Sequence, residues 1–260
     1  MGTVDAPAVV RTHPVMGTMA SVHVHDDVNP AVIDAAIGLL WMELDRLESI
    51  FSTFRSSSEI SRINRGELHL LDASPEVIEV FDACTWLEHI SNGAFRARRP
   101  GDMIVDPAGF VKGWATELAA QHLDRAGLRQ WYLSVGGDIQ TRGTARGELP
   151  WRVAIADPNC ADARAIAAIV EISGDAIATS GIAARGRHLW DGRTDEPAEA
   201  LASMTVVGPN LTWADAFATA AFVMGSDGVD WVSQFPGYRA LAITLDGALL
   251  RRNEQWAEAA

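Results

Sequence analysis

Residues 30–51 place apolar side chains at Ile33, Ile37, Leu40, Leu44, Leu47 and Phe51. Steps of four and three draw one stripe along a long helix, and Pro30 suits its first turn. Such a stripe has to be covered by another layer. Two further helices precede residue 128. One is predicted from Ser74, read as an N-cap with Pro75 at the first helical position, to about Ser91. Its buried side is read as Val77, Ile78, Phe81, Leu87 and Ile90, and Asn92-Gly93 stops it. The other runs from about Val111 to Ala126 and ends at Gly127. Residues 18–25 alternate as a strand and 103–106 form a short one. Residues 54–67 read as a polar turn. After residue 130 the period becomes mostly two, giving strands at 131–135, 151–156, 166–172, 176–180, 203–208 and 239–244. Helices are predicted at 213–224 and 228–235, and the polar or small residues at the end are expected to fray. Helices early and strands late imply one α+β domain over residues 1–260, with mixed or antiparallel sheets packed with helices.

The net charge of −13 argues against binding to nucleic acid or to anionic lipid, although a local cation can still favour a small anionic ligand. The two cysteines, Cys84 and Cys160, make neither a disulfide framework nor a zinc site, and Cys84 falls in an apolar helical pattern expected to be core. The first residues hold no apolar core of a signal peptide, and no apolar run reaches membrane-spanning length. The expectation is a cytoplasmic protein without membrane insertion.

The stretch VDPAGFVKGWATE (105–117) admits two readings. In the plain one, Asp106 and Lys112 flank a strand-to-helix turn as a surface ion pair. In the sharper one, Gly109 and Gly113 let a ligand approach the backbone, and Lys112 near a helix start suits a phosphate. SVGGD (134–138) and ATSG (178–181) also end strands with glycines, hydroxyls or an acid, each readable as a tight turn. In WADAFATAAF (213–222), Asp215 and Thr219 share a helix face among alanines. They are either oxygen ligands for a hard cation such as Mg²⁺, or a helix-stabilising acid and a packing hydroxyl. His23 and His25 share a strand face, either as a metal pair or, as expected, on a solvated surface. Phe54 and Phe95 stand near loops, where a ring can stack on a ligand or pack in the core.

Taken in order, PVMGTMASV (14–22), FSTFRSSSEISRIN (51–64), VDPAGFVKGWATE, LSVGGDIQTRG (133–143), AIATSGIAAR (176–185), RHLWDGRT (187–194) and SMTVVGPNLTWADAFATAAFVMG (203–225) resemble the ApbE family of FAD:protein FMN transferases. The resemblance implies an ApbE-like, T-fold-related architecture. It implies transfer of the FMN moiety of FAD to a Thr or Ser hydroxyl of a target flavoprotein, with release of AMP and with Mg²⁺ as cofactor. Residue by residue it implies that Asp106 and Lys112 contact FAD. Met16, Phe54, Phe95, Gly137 and Ser180 are matched to the FAD pocket. The Gly109 carbonyl, Asp215 and Thr219 are matched to the metal, and His188 to a base near the reacting phosphate.

The sequence departs from the family pattern in three places. After Phe95 the chain is short, with Arg96 where an acid is expected, and the arginines of RARRPG (96–101) are candidates to replace the missing FAD contacts. HLWDGRTDEP (188–197) is a reduced form of its motif. Glu117 stands where the family usually has Asp. Two alternatives share the same fold: an FAD pyrophosphatase giving FMN and AMP, and a flavin-binding protein without catalysis.

Overall fold

The structure, a computed structural model, describes residues 8–98, 104–145, 148–162, 164–182, 189–252 and 256–258. An eight-stranded sheet is its organising layer. Strands β1 (Val9–Val15), β2 (Thr18–Val24), β3 (Trp131–Val135), β4 (Asp138–Arg142), β7 (Ala176–Gly181), β10 (Leu201–Gly208), β11 (Arg239–Thr244) and β12 (Leu249–Arg251) lie side by side in that order. Every neighbouring pair is antiparallel. A smaller sheet is built from β5 (Trp151–Ala156), β6 (Ile166–Ile172) and β13 (Ala257–Glu258), and β8 (Trp190–Asp191) pairs with β9 (Glu196–Pro197).

One face of the large sheet carries the helices. α1 (Pro30–Phe51), α3 (Pro75–Ile90), α4 (Ala108–Arg125) and α5 (Leu211–Met224) bury Leu40, Leu87, Phe110 and Phe217 in one core with Val22, Leu133, Met204 and Val206 of the strands. The opposite face presents Ile177, Val207, Leu241 and Ile243 to Trp151, Ile155, Val170, Ile172 and Trp256. A strand covered on both faces loses the alternation of a half-solvated one. That is why β10 reads LASMTVVG and is buried at every position. No helix among the described residues is long and apolar enough to cross a membrane.

The long helix follows its stripe, with Ile33, Ile37, Leu40, Leu44, Leu47 and Phe51 all buried. In α3 the buried line is Val77, Val80, Cys84 and Leu87, and Ile78, Phe81 and Ile90 are only half-buried flanks. Burial pushes the Cys84 thiol up to about 12, as befits a core residue, and both cysteines are free. Several expectations need correction. The polar segment 54–67 holds α2 (Glu59–Asn64), capped by the Ser58 hydroxyl, which accepts the Ser61 N–H at 3.0 Å. α4 begins at Ala108 and α5 at Leu211, each a few residues early. The short helix is α6 (Asp227–Val232). β1, β4 and β12 add strands where none is expected; of the short strand expected at 103–106, Met103 lies outside the described residues, and among 104–106 only Val105 pairs, in an isolated bridge to Arg98. Trp256, in the tail expected to fray, is buried under the small sheet, and β13 beside it pairs with β6.

Candidate active site

α4 and α5 approach so closely that only glycine fits between them. A Cβ at Gly113 would stand 2.7 Å from both the Asp215 Cβ and the Leu211 carbonyl oxygen. The contact turns Asp215 toward α4, where the Gly113 N–H donates to its Oδ2 at 2.8 Å and the Lys112 ammonium to its Oδ1 at 3.1 Å. In a regular helix the Gly113 N–H serves the carbonyl of Gly109, so Asp215 competes with that carbonyl for its donor. Asp215 is 3% exposed.

A third element completes this centre. Gly136 and Gly137, at φ 62° and 96°, form the two-residue turn between β3 and β4, the geometry that tight hairpins require. The next residue, Asp138, is buried and forms an ion pair with Lys112. Its Oδ1 accepts the Thr179 N–H at 3.0 Å. Lys112 therefore reaches across to Asp138 and Asp215, and the surface pair with Asp106 expected in the plain reading is not its arrangement. Asp106 Oδ1 instead accepts the Ala108 N–H at 3.2 Å, at the start of α4. Two buried carboxylates face one ammonium, so the centre carries an excess negative charge.

One helical turn beyond Asp215, Thr219 Oγ1 lies 3.1 Å from Ser180 Oγ at the end of β7. Gly109 leaves room for Phe95 and Thr219, since a Cβ there would stand 3.1 Å from the Phe95 ring and 3.2 Å from the Thr219 methyl. The first turn of α5 is held by Glu117 of α4, whose carboxylate accepts the Thr212 N–H at 2.9 Å and the Thr212 hydroxyl at 2.6 Å. Gln140 Oε1 accepts the Leu211 N–H at 3.2 Å. Glu117 thus fixes the start of the helix that carries Asp215 and Thr219. Burial, with Glu117 close by, raises the pKa of the Tyr238 phenol that bonds Asn210 at this end.

These groups line one cleft of about 1440 Å³. Phe54, Phe95, Asp106, Gly109, Lys112, Gly137, Ser180, Asp215 and Thr219 all border it. Phe54 is 96% exposed at the rim, with its ring uncovered, whereas Phe95 is buried and both packs in the core and borders the cleft. Met16 does not border the cleft. It sits at φ 52° in the β1–β2 turn, and its N–H donates to Glu48 Oε1 at 3.1 Å. Glu48 also pairs with Arg55, next to Phe54, at 2.7 Å. His188 lies outside the described residues. Its neighbours Leu189 and Trp190 border the cleft. His23 and His25 are not on a solvated face. Both are half-buried between the sheets, His23 stacked on Tyr132 at 4.3 Å and His25 edge-on to Trp151 at 5.0 Å.

Two residues of the site do not stand out in the sequence. Asp138 closes SVGGD, where the glycines before it carry the stronger signal. Asn64 ends α2 and clamps the strand segment before α4. Its Nδ2 donates to the Val105 carbonyl at 2.9 Å, and its Oδ1 accepts the Val105 N–H at 2.8 Å. Nothing in the SRIN stretch alone marks that asparagine as a clamp.

The same fold occurs in solved flavin transferases. The flavin transferase ApbE of Vibrio cholerae superposes with a TM-score of 0.76 at 22% identity, covering 98% of this chain and 97% of that one. The ApbE protein of Thermotoga maritima gives 0.80 at 23% identity, covering 95% and 97%. In sequence, the FAD:protein FMN transferase of Escherichia coli K12 is 32% identical over 188 residues, 67% of this chain and 53% of that protein. The FAD:protein FMN transferase of Vibrio cholerae O1 is 30% identical over 172 residues, 60% of this chain and 51% of that protein. The chain spans about half the length of these relatives. The sequence profile of the ApbE family matches residues 16–97 and 96–242. A match of that extent settles the lineage: this chain belongs to the ApbE family.

Proposed function

We propose that this chain moves the FMN half of FAD onto a Thr or Ser hydroxyl of a partner flavoprotein and releases AMP. The observation that carries the reading is the meeting of Lys112, Asp138, Ser180, Asp215 and Thr219, from four separate elements, at a cleft with a bare aromatic rim. An uncovered ring such as Phe54 gives a flat heterocycle a surface to stack on.

The charge at the centre fits a hard cation. Two carboxylates against one ammonium leave a buried negative charge, and the nearby donors are oxygens. Among the described residues, no group of three or more His, Cys, Asp or Glu side chains is placed to hold a metal. A shell completed by hydroxyl, carbonyl, phosphate and water oxygens suits Mg²⁺ better than a softer ion. Asp215, Thr219 and the Gly109 carbonyl would hold it, and it would offset charge on the diphosphate and on the departing phosphate. Lys112 would add a second positive charge beside it, its position fixed by the two aspartates.

In the proposed step, the acceptor oxygen forms a bond to the phosphorus on the FMN side. The bond from that phosphorus to the bridging oxygen breaks, and AMP leaves with the electron pair. The acceptor proton passes to a base, for which family resemblance nominates His188. The product is a phosphoester of FMN on the partner.

The test is incubation with FAD and Mg²⁺, with and without a flavoprotein acceptor domain, following AMP release and acceptor mass. AMP together with an acceptor heavier by one FMN is the expected result. AMP in equal amount with an unmodified acceptor would replace this reading with FAD hydrolysis. FAD binding without AMP would replace it with a binding protein. The site also predicts that Asp215→Ala abolishes AMP release.

A further inference from the structure

We infer that Arg98 is an anion-binding residue of the cleft, gripping the diphosphate of the dinucleotide; this rests on the FMN-transfer reading. Three basic side chains among the described residues border the cleft: Arg96, Arg98 and Lys112. Lys112 is already paired with Asp138 and Asp215. Arg96 is paired with Glu88 at 3.3 Å. Arg98 is exposed, and among the described residues no ion pair or side-chain hydrogen bond engages its guanidinium. Among the described residues that border the cleft, it is the cation left over for a ligand.

Its backbone is fixed, while no described residue holds its guanidinium. Arg98 bridges Val105, and the Asp106 N–H donates to the Ala97 carbonyl at 2.9 Å. Asn64 holds both polar groups of Val105. The segment bearing Arg98 is thereby tied to α2 and to the run that enters α4 at Ala108 and Gly109. A planar guanidinium presented from such a support can meet phosphate oxygens with two parallel N–H groups. The need is electrostatic. With Mg²⁺ on Asp215, the two aspartates, Lys112 and the cation together carry only about one net positive charge against about two negative charges on a diphosphate, and Arg98 on the cleft wall supplies the balance.

The experiment compares wild type, Arg98→Ala and Arg98→Lys, each checked by melting curve. Affinities for FAD, ADP and riboflavin are measured by fluorescence or calorimetry with Mg²⁺ present. Arg98→Ala is expected to weaken FAD and ADP about tenfold or more, the scale of one charge-assisted hydrogen bond. Riboflavin, which has no phosphate, is expected to be unaffected. Arg98→Lys is expected to recover part of the loss. Wild-type binding of FAD that Arg98→Ala leaves unchanged overturns the inference and leaves the FMN-transfer reading standing. The inference also falls if the acceptor's KM rises while FAD affinity holds, because Arg98 would then face the protein substrate. Failure of the wild type to bind FAD at all overturns both.

Discussion

The Gly113 N–H points into the Asp215 carboxylate at 2.8 Å, and the space a Cβ at residue 113 would occupy is already filled by the Asp215 Cβ. Helix contact and active-site placement are one feature here. Gly113→Ala should therefore act on both. Alanine favours a helix by about 1 kcal/mol over glycine. That gain is outweighed, because the second obstacle is the Leu211 carbonyl, a backbone atom that cannot rotate away. The expected net loss is about 1–3 kcal/mol of stability. AMP release should fall as well, since α5 must shift outward with Asp215. Urea unfolding and AMP release at saturating FAD check this, and a variant as stable and active as wild type would contradict the close contact.

Asp215→Asn should separate activity from stability. The side chain keeps its shape and its oxygen can still accept the Gly113 N–H, but the new amide nitrogen faces the Lys112 ammonium, which keeps Asp138 as its partner. The centre passes from two acids per base to one, which offsets part of the cost of setting an amide N–H against the ammonium, so folding should lose about 1–2 kcal/mol. The proposed cation loses its charged ligand, and AMP release should drop by about a hundredfold or more, the scale of an electrostatic group acting on the transition state. Higher Mg²⁺ should restore part of it. A large fall in melting temperature would show that Asp215 serves the fold first.

Glu117 tests how α5 is anchored. Its carboxylate takes both polar hydrogens of Thr212. Glu117→Ala removes the cap and should cost about 1–2 kcal/mol. Glu117→Asp keeps the charge but shortens the reach, so it should lie between the two. Denaturant midpoints of the three proteins give the order, and an alanine variant equal to wild type would mean the first turn of α5 is held from elsewhere.

How much of this is legible in the sequence follows from what each residue has to bury. α1 can be read because its stripe is apolar on one side only, and Asp215 and Thr219 because alanines surround them. β4 cannot. Its sequence DIQTR is polar, yet Asp138, Gln140 and Thr141 are buried because their partners, Lys112, the Leu211 N–H and the Asp175 carbonyl, come from distant segments. α2 is hidden for a related reason: a six-residue helix leaves too few apolar positions to show a period. The pairing of Lys112 departs furthest from expectation. Local spacing offers it Asp106, and only the fold brings Asp138 and Asp215 within reach.

The last expectation concerns pH. His23 lies half-buried on Tyr132, and its pKa is lowered, first by burial and then by the neighbouring His25. Its folded value therefore lies below the ordinary 6.5. Between those two values the unfolded chain binds the proton more readily, so protonation favours unfolding. The contribution is fully present above about pH 6.5 and is lost as pH falls through the folded value. Stability should thus decline on acidification from about pH 7 to below about pH 6.5. In His23→Gln, which keeps a flat polar group on the Tyr132 ring, the decline over that window should be shallower. Chemical denaturation at half-unit pH steps measures both slopes. Equal slopes would place the acid sensitivity in other groups, and a steeper slope in the variant would reverse the sign argued for His23.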